Sequence, residues 1–206
     1  GAAIVRNHPK EDPITQEITA TEYDSNIQIP ALALSYRTPS MKDKDAYVLN
    51  MISTYLSDGK TSKLYKKMVD ENKTALQVFA FNRSQEDYSM YNIFALPLGD
   101  VPLSKLETEI DEEIKKLQTS LISDNDYTKL QNKMENDFVN SNASISGVAN
   151  SLARYYMLYG DTNLINSEIE IYRNISKEDI KRVANKYLNK NQRVRIEYLP
   201  KSTQEE

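Results

Sequence analysis

Bulky Leu32, Leu34 and Tyr36 alternate with small Ala31, Ala33 and Ser35. This period of two predicts a strand over residues 29–36, with a small-residue face that a neighbouring layer can approach closely. Before it, Thr15, Ile18, Thr19 and Thr21 supply β-propensity for a strand over 14–23. Arg37-Thr38-Pro39-Ser40 breaks the run. The period then lengthens. Val48, Leu49, Ile52, Tyr55 and Leu56 share one face of a helix expected over 45–56. Ser57-Asp58-Gly59 closes it, with Gly59 as the left-handed cap. A second helix is expected over 61–71. Strands over 75–82 and 88–96 follow, and the polar turn 83–87 joins them as an antiparallel hairpin.

From Pro102 onward the apolar spacing is helical, through Leu103, Leu106, Ile110, Ile114, Leu117 and Leu121. Two matching start signals come next. Ile122-Ser123 precedes Asp126, and Ile175-Ser176 precedes Asp179. Each Ser can cap a helix, and each Ile can pack as a staple against Tyr127 or Ile180. The first of these helices shows Tyr127, Leu130, Met134 and Phe138; the second shows Ile180, Val183, Ala184, Tyr187 and Leu188. Between them, a helix over 145–159 presents Val148, Ala149, Leu152, Tyr156 and Tyr159. Val194, Ile196 and Tyr198 alternate with Arg193, Arg195 and Glu197 in a last strand over 193–199. The order predicts an α+β fold, an antiparallel or mixed sheet covered on one face by helices. The last strand must cross back over the helical block. Residues 1–14 read as a linker or frayed terminus, 15–200 as a single domain and 201–206 as a polar tail.

Composition narrows the function. Among 206 residues, 26 Lys and Arg face 30 Asp and Glu, a net charge of −4. That balance argues against nucleic-acid binding, which needs clustered cations. The absence of Cys removes disulfides, thiol catalysis and cysteine-based metal sites. No apolar run reaches the roughly 18–20 residues that a membrane-spanning helix needs, and no signal peptide is visible. Gly1-Ala2-Ala3 reads as a cut edge, so a leader or a preceding domain is expected upstream. The compartment stays open.

Several short motifs have plainer readings. Gly59-Lys60-Thr61 imitates the end of a phosphate-binding loop, but the Gly required five residues earlier is Thr54, inside a helix. Asp124, Asp126 and Glu135 echo a calcium loop whose obligatory Gly is Lys129; capping explains them better. Glu107, Glu109 and Asp111-Glu112-Glu113 read as solvated charges on a helix rather than an acid–base pair. Asn72-Lys73-Thr74, Asn82-Arg83-Ser84, Asn142-Ala143-Ser144 and Asn174-Ile175-Ser176 match a glycosylation pattern too short to inform. Tyr155, Tyr156 and Tyr159 read as core aromatics rather than a ligand patch. The one histidine, His8, sits beside Pro9 with no second ligand near it, and reads as a solvated tail residue.

Several stretches together resemble the pitrilysin/insulinase family of zinc metallopeptidases, which includes the mitochondrial processing peptidases. These are 30–39 (PALALSYRTP), 45–65 ending in LSDGKTSKLY, the Ile122-Ser123 and Ile175-Ser176 starts, and 183–188 (VANKYL). The resemblance covers about residues 17–200. It implies a half-clamshell domain of the processing-peptidase type, paired with a homologous one. Catalysis in the family belongs to a His-x-x-Glu-His helix that holds zinc and a general base. The corresponding helix here carries Tyr47, Val48, Leu49, Asn50 and Met51. Many partner domains in the family supply an Arg and a Tyr that hold the substrate carbonyl; those positions here are Val69 and Leu76, and no Arg lies between Arg37 and Arg83. The resemblance therefore implies no catalytic, metal or substrate-binding residue in this chain. It implies a non-catalytic domain that encloses unfolded peptide and packs against a catalytic metallopeptidase domain in the same chain or another, with zinc held there. An inactive homologue acting only as a scaffold is the alternative. A hydrolase using carboxylates alone has no supporting pair.

Overall fold

The chain leaves its helical block by entering the middle of the sheet. The computed structural model describes residue 10 and residues 12–201. His8, Gly1-Ala2-Ala3 and most of the expected linker and tail lie outside the described residues. The strands are β1 (Ile18–Asp24), β2 (Ala31–Thr38), β3 (Ala75–Arg83), β4 (Ser89–Pro97) and β5 (Arg193–Pro200). They form one sheet in the order β1-β5-β2-β4-β3. β5 runs parallel to β1 and antiparallel to β2; β2–β4 and the β3–β4 hairpin are antiparallel. The sheet is mixed, as the element order predicted. The first strand starts at Ile18 rather than residue 14 and is mostly exposed, because it is an edge.

The helices are α1 (Lys44–Ser57), α2 (Leu103–Thr119), α3 (Asp124–Ser141), α4 (Ile145–Tyr159), α5 (Leu164–Arg173) and α6 (Lys177–Tyr187). α1, α2 and α6 lie on one face of the sheet; α3 and α5 pack on α1, and α4 packs on α5. Leu32, Leu34 and Tyr36 point into this layer and meet Leu49, Ile52, Leu106, Ile110 and Val183 in one core. The start signals work as read. The Ser123 hydroxyl accepts from the Asp126 N–H, and Ser176 and Asp179 form a reciprocal capping box. Gly59 takes φ +77°, just past α1.

Two elements depart from the sequence expectation. In place of a second α-helix, Tyr65–Glu71 forms a π-helical turn, closed by the Asn72 N–H donating to the Lys67 carbonyl. Lys73 then adopts φ +52°, and the Thr74 N–H reaches the Met68 carbonyl at 2.8 Å. The wider turn lets Met68 enter the core while the chain swings into β3. The helix α5 had no expectation at all. Its apolar residues, Leu164, Ile165, Ile169 and Ile171, are interrupted by Glu168, an acid that proves to be buried.

The α2 acids also correct the expectation of solvated charge. Glu109 is buried and accepts from Thr74 Oγ1 at 2.5 Å and Asn72 Nδ2 at 2.8 Å. Glu113 is buried beside Lys67 and Lys116. Glu107 and Asp111 turn toward Arg193, whose exposure is 0%. Arg193 donates to Glu17 at 2.6 Å, to Asp111 at 2.6 Å, to Glu107 at 2.5 Å and to the Tyr36 hydroxyl at 3.3 Å. Burial alone would push its proton off; the surrounding acceptors more than offset that and hold the charge.

At the other side of the sheet, β3 is an edge. Ser57, in the last turn of α1, lies against it. Its Oγ accepts from the Ala80 N–H at 2.7 Å and donates to the Ala80 carbonyl at 3.0 Å. Both outward backbone groups of that residue are thus occupied by one side chain.

Replacing Arg193 by Met should cost about 3–5 kcal/mol in urea unfolding at neutral pH, because Glu17 and Asp111 would stay partly buried without their cation, while Glu107 keeps Arg195. Asp45 is the acid-sensitive group. Burial would raise its pKa, but hydrogen bonds from Arg182, Lys186 and Tyr187 hold it at about 2. Its stabilisation is full above the unfolded-state value of about 3.9 and is lost as pH falls toward 2. Asp45→Asn should therefore cost roughly 2 kcal/mol at neutral pH and flatten the fall in urea midpoint between about pH 4 and 2.

Candidate functional site

The α1 helix stands where a metal-binding helix would be expected. Asp43 caps its start by accepting from the Asp45 N–H, and its apolar stripe fixes it against β3. Tyr47, Asn50 and Met51 are the residues that the family resemblance sets against the His, Glu and His of a zinc site. Met51 is buried in the core. Tyr47 packs edge-on against Tyr172 of α5, ring centres 5.3 Å apart. Asn50 donates to the Tyr172 hydroxyl at 3.3 Å. Beyond them the Tyr155 hydroxyl donates to buried Glu168, and Tyr159 donates to the Met41 carbonyl. Burial pushes the Tyr47 and Tyr155 hydroxyls up, and carries Tyr172 to about 12. These groups stay neutral and satisfied. The space is a polar-lined core seam whose buried carboxylate, Glu168, is engaged by the Tyr155 hydroxyl. Among the described residues no group of three or more His, Cys, Asp or Glu could hold a metal ion.

Val69 sits in the π-helical turn and packs against the core, and Leu76 is exposed at the start of β3. Neither can polarise a carbonyl. The phosphate-loop imitation is a turn: the Ser62 N–H donates to the Gly59 carbonyl, and Lys129 donates to Thr61 Oγ1. A cavity of about 290 Å³ lies between this turn and α3. Two of its lysines are paired, Lys63 with Asp126 at 2.9 Å and Lys133 with Asp58 at 3.1 Å. The calcium imitation also dissolves into pairs, Asp124 with Lys177 and Glu135 with Arg173. The tyrosines divide: Tyr155 is buried and Tyr159 half-buried, as core aromatics should be, but Tyr156 is exposed.

The distinctive surface is the sheet face opposite the helices. Strand alternation places Phe79 and Phe81 of β3, Phe94 and Leu96 of β4, Ala33 of β2, Val194 and Ile196 of β5, and Ile18 of β1 on it. Phe79, Phe81 and Phe94 form a stacked cluster, with ring centres 5.4–6.2 Å apart. Phe79 and Phe81 remain 37% and 38% exposed. β5 inverts the usual arrangement: its charged Arg193, Arg195 and Glu197 face the helices, and its apolar residues face outward. Toward one end lies an open cavity of about 540 Å³, lined by Ile14, Ser35, Arg37, Tyr88, Met90 and Val194. Arg37 lies over the Tyr88 ring there and donates to the Asp12 carbonyl. Such a face cannot activate water. It can bury apolar side chains.

A family model described as the peptidase M16 inactive domain matches residues 3–134. The zinc protease PqqE of Helicobacter pylori is 29% identical over 184 residues, 89% of this chain and 40% of that protein. A crystal structure of a protease from Helicobacter pylori superposes with a TM-score of 0.88 at 26% identity, covering 96% of this chain and 48% of that one. The peptidase M16 inactive domain from Pseudomonas fluorescens gives 0.79 at 14% identity, covering all of this chain and 48% of that one; this likeness speaks for the fold. The chain thus spans less than half the length of these relatives.

Tyr155→Phe should destabilise by about 2 kcal/mol in urea unfolding, because buried Glu168 loses its donor. Tyr156→Phe, one residue on but exposed, should stay within about 0.5 kcal/mol of the parent.

Proposed function

The chain belongs to the peptidase M16 inactive-domain family, and from that membership we propose that it walls a chamber in which a zinc-bearing catalytic domain cleaves unfolded peptides. The catalytic domain lies in the same polypeptide or in a partner subunit, and zinc is bound there. The bare aromatic face of the sheet carries this reading. A stacked trio of phenylalanines beside Leu96, Ile196 and Val194 is the kind of apolar surface that a peptide or a packed domain covers. Tyr47, Asn50 and Met51 supply no hydrolytic chemistry, so the contribution is steric. Ser57 occupies the β3 edge at Ala80, which turns peptide contact away from backbone pairing on that side and toward the face.

The chain alone should take up no stoichiometric zinc in equilibrium dialysis and should cleave no unfolded peptide. A photoreactive phenylalanine analogue in place of Phe94 should cross-link to an unfolded polypeptide such as reduced, alkylated casein several-fold more than the same analogue in place of Lys115 on α2. Equal yields would overturn the peptide-facing role. A cross-link from position 94 to an added catalytic domain but never to peptide would favour the scaffold alternative.

A further inference from the structure

The sheet has two edges, and they are finished differently. On β3, Ser57 occupies both outward groups of Ala80, and the pairing with β4 shifts register between Ala75 and Gln77. On β1 nothing interrupts the strand. Its pairing with β5 keeps one register from Ile18 to Asp24, without a bulge, a Pro or a Lys. The Asp24 carbonyl accepts from the Lys201 N–H at 3.0 Å. Asp24, Glu22, Ala20 and Ile18 therefore turn their backbone groups toward β5, and Thr19, Thr21 and Tyr23 turn theirs away. Among the described residues, nothing bonds to the outward N–H and C=O groups of these three. An unbroken edge about 20 Å long is a template for one more strand.

Charge selects what can lie there. No Lys or Arg falls between Lys10 and Arg37, and the same stretch holds Glu11, Asp12, Glu17, Glu22 and Asp24. Glu17 is engaged by Arg193. Among the described residues, neither Glu22 nor Asp24 pairs with a cation: Asp24 accepts from Tyr198 and Asn26, and exposed Glu22 has no hydrogen-bond partner. Ile18 and Glu22 both point to the uncovered face, as do their β5 neighbours Val194 and Tyr198. An added strand would thus meet an apolar side chain at one end and a carboxylate at the other. A second copy would bring Glu22 and Asp24 twice, with no cation to offset them, and an acidic segment would fare no better. A segment carrying Lys or Arg meets opposite charge instead. We propose that the β1 edge binds an extended basic peptide as an added strand. Its backbone pairs with Thr19, Thr21 and Tyr23, a Lys or Arg lies beside Glu22, and an apolar side chain lies beside Ile18. The inference rests on the peptide-facing role proposed above and adds to it a pairing edge and a required charge.

The test uses the 206-residue chain and a fluorescein-labelled peptide alternating Val and Lys, against the same peptide with Glu for Lys. By fluorescence anisotropy the Lys peptide should bind about ten-fold tighter or more, and added salt should weaken it. Thr21→Pro deletes one outward donor and leaves the β1–β5 ladder whole. It should weaken binding about ten-fold or more with unchanged far-UV circular dichroism, whereas Thr21→Val should not. Glu22→Lys should erase most of the preference for Lys. In the parent, bound peptide should shift the nitrogen-15 amide resonances of Thr19, Thr21 and Tyr23 and leave that of Ala80 in place, which decides the matter even if the Pro variant unfolds. Equal affinity for the two peptides, full binding by a folded Thr21→Pro, or amide shifts confined to β3 overturns the proposal. A two-chain mass in light scattering that Thr21→Pro returns to one assigns the edge to a second copy and also overturns it. Absent peptide binding, while position 94 still cross-links to casein, overturns this inference alone and leaves the peptide-facing role standing.

Discussion

One buried guanidinium sets the architecture. The strand β5 returns from the helical block and inserts between β1 and β2. It brings Arg193 inward, to meet Glu17 ahead of β1, Tyr36 on β2 and Glu107 and Asp111 on α2. Four separate parts of the chain therefore converge on one cation. A misplaced register would take Arg193 from its acceptors and leave Glu17 and Asp111 without their cation, so the cluster favours the observed threading of β5. The inward charge also explains the outward apolar surface. With Arg193 and Arg195 committed to α2 and Glu197 paired to Arg195 on the same side, the alternation of a strand leaves Val194, Ile196 and Tyr198 on the uncovered side.

How much of this was legible in the residues follows from what each signal encodes. The alternation at Leu32–Tyr36 and the capped starts at Ser123 and Ser176 are local, and the structure places them as read. The π-helical turn is not local. It arises because Met68 must reach the core while Lys73 turns the chain into β3. The α2 acids misled because charge was equated with solvent, whereas Glu109 and Glu113 have donors that sequence spacing does not reveal. The same confusion hid α5, whose Glu168 breaks an apolar pattern and yet lies inside. For α4 the error ran the other way: a good amphipathic stripe was assumed to face its own core. Periodicity tells which residues share a side of a helix, and is silent on which body that side meets.

Tyr47, Asn50 and Met51 serve packing in the helix α1. Nitrogen and carboxylate ligands need an open, polar first coordination sphere. Met51 and Tyr47 need the opposite: Met51 lies in the core and Tyr47 packs edge-on against Tyr172. Asn50 keeps two polar contacts, donating to Tyr172 and accepting from Asn82. Membership in a family of inactive domains then has a physical counterpart: in this chain the helix is packing, and the apolar surface left open lies on the other side of the sheet.

The hydroxyl of Ser57 on Ala80 has a bearing on how such a protein survives its surroundings. An exposed strand of Leu, Val and Phe is the kind of template on which extended, sticky polypeptides stack into fibrils. Stoppering that template at its midpoint denies a newcomer the run of consecutive backbone pairings that growth needs. The strand with two exposed phenylalanines then offers no unbroken edge on which a second strand could stack.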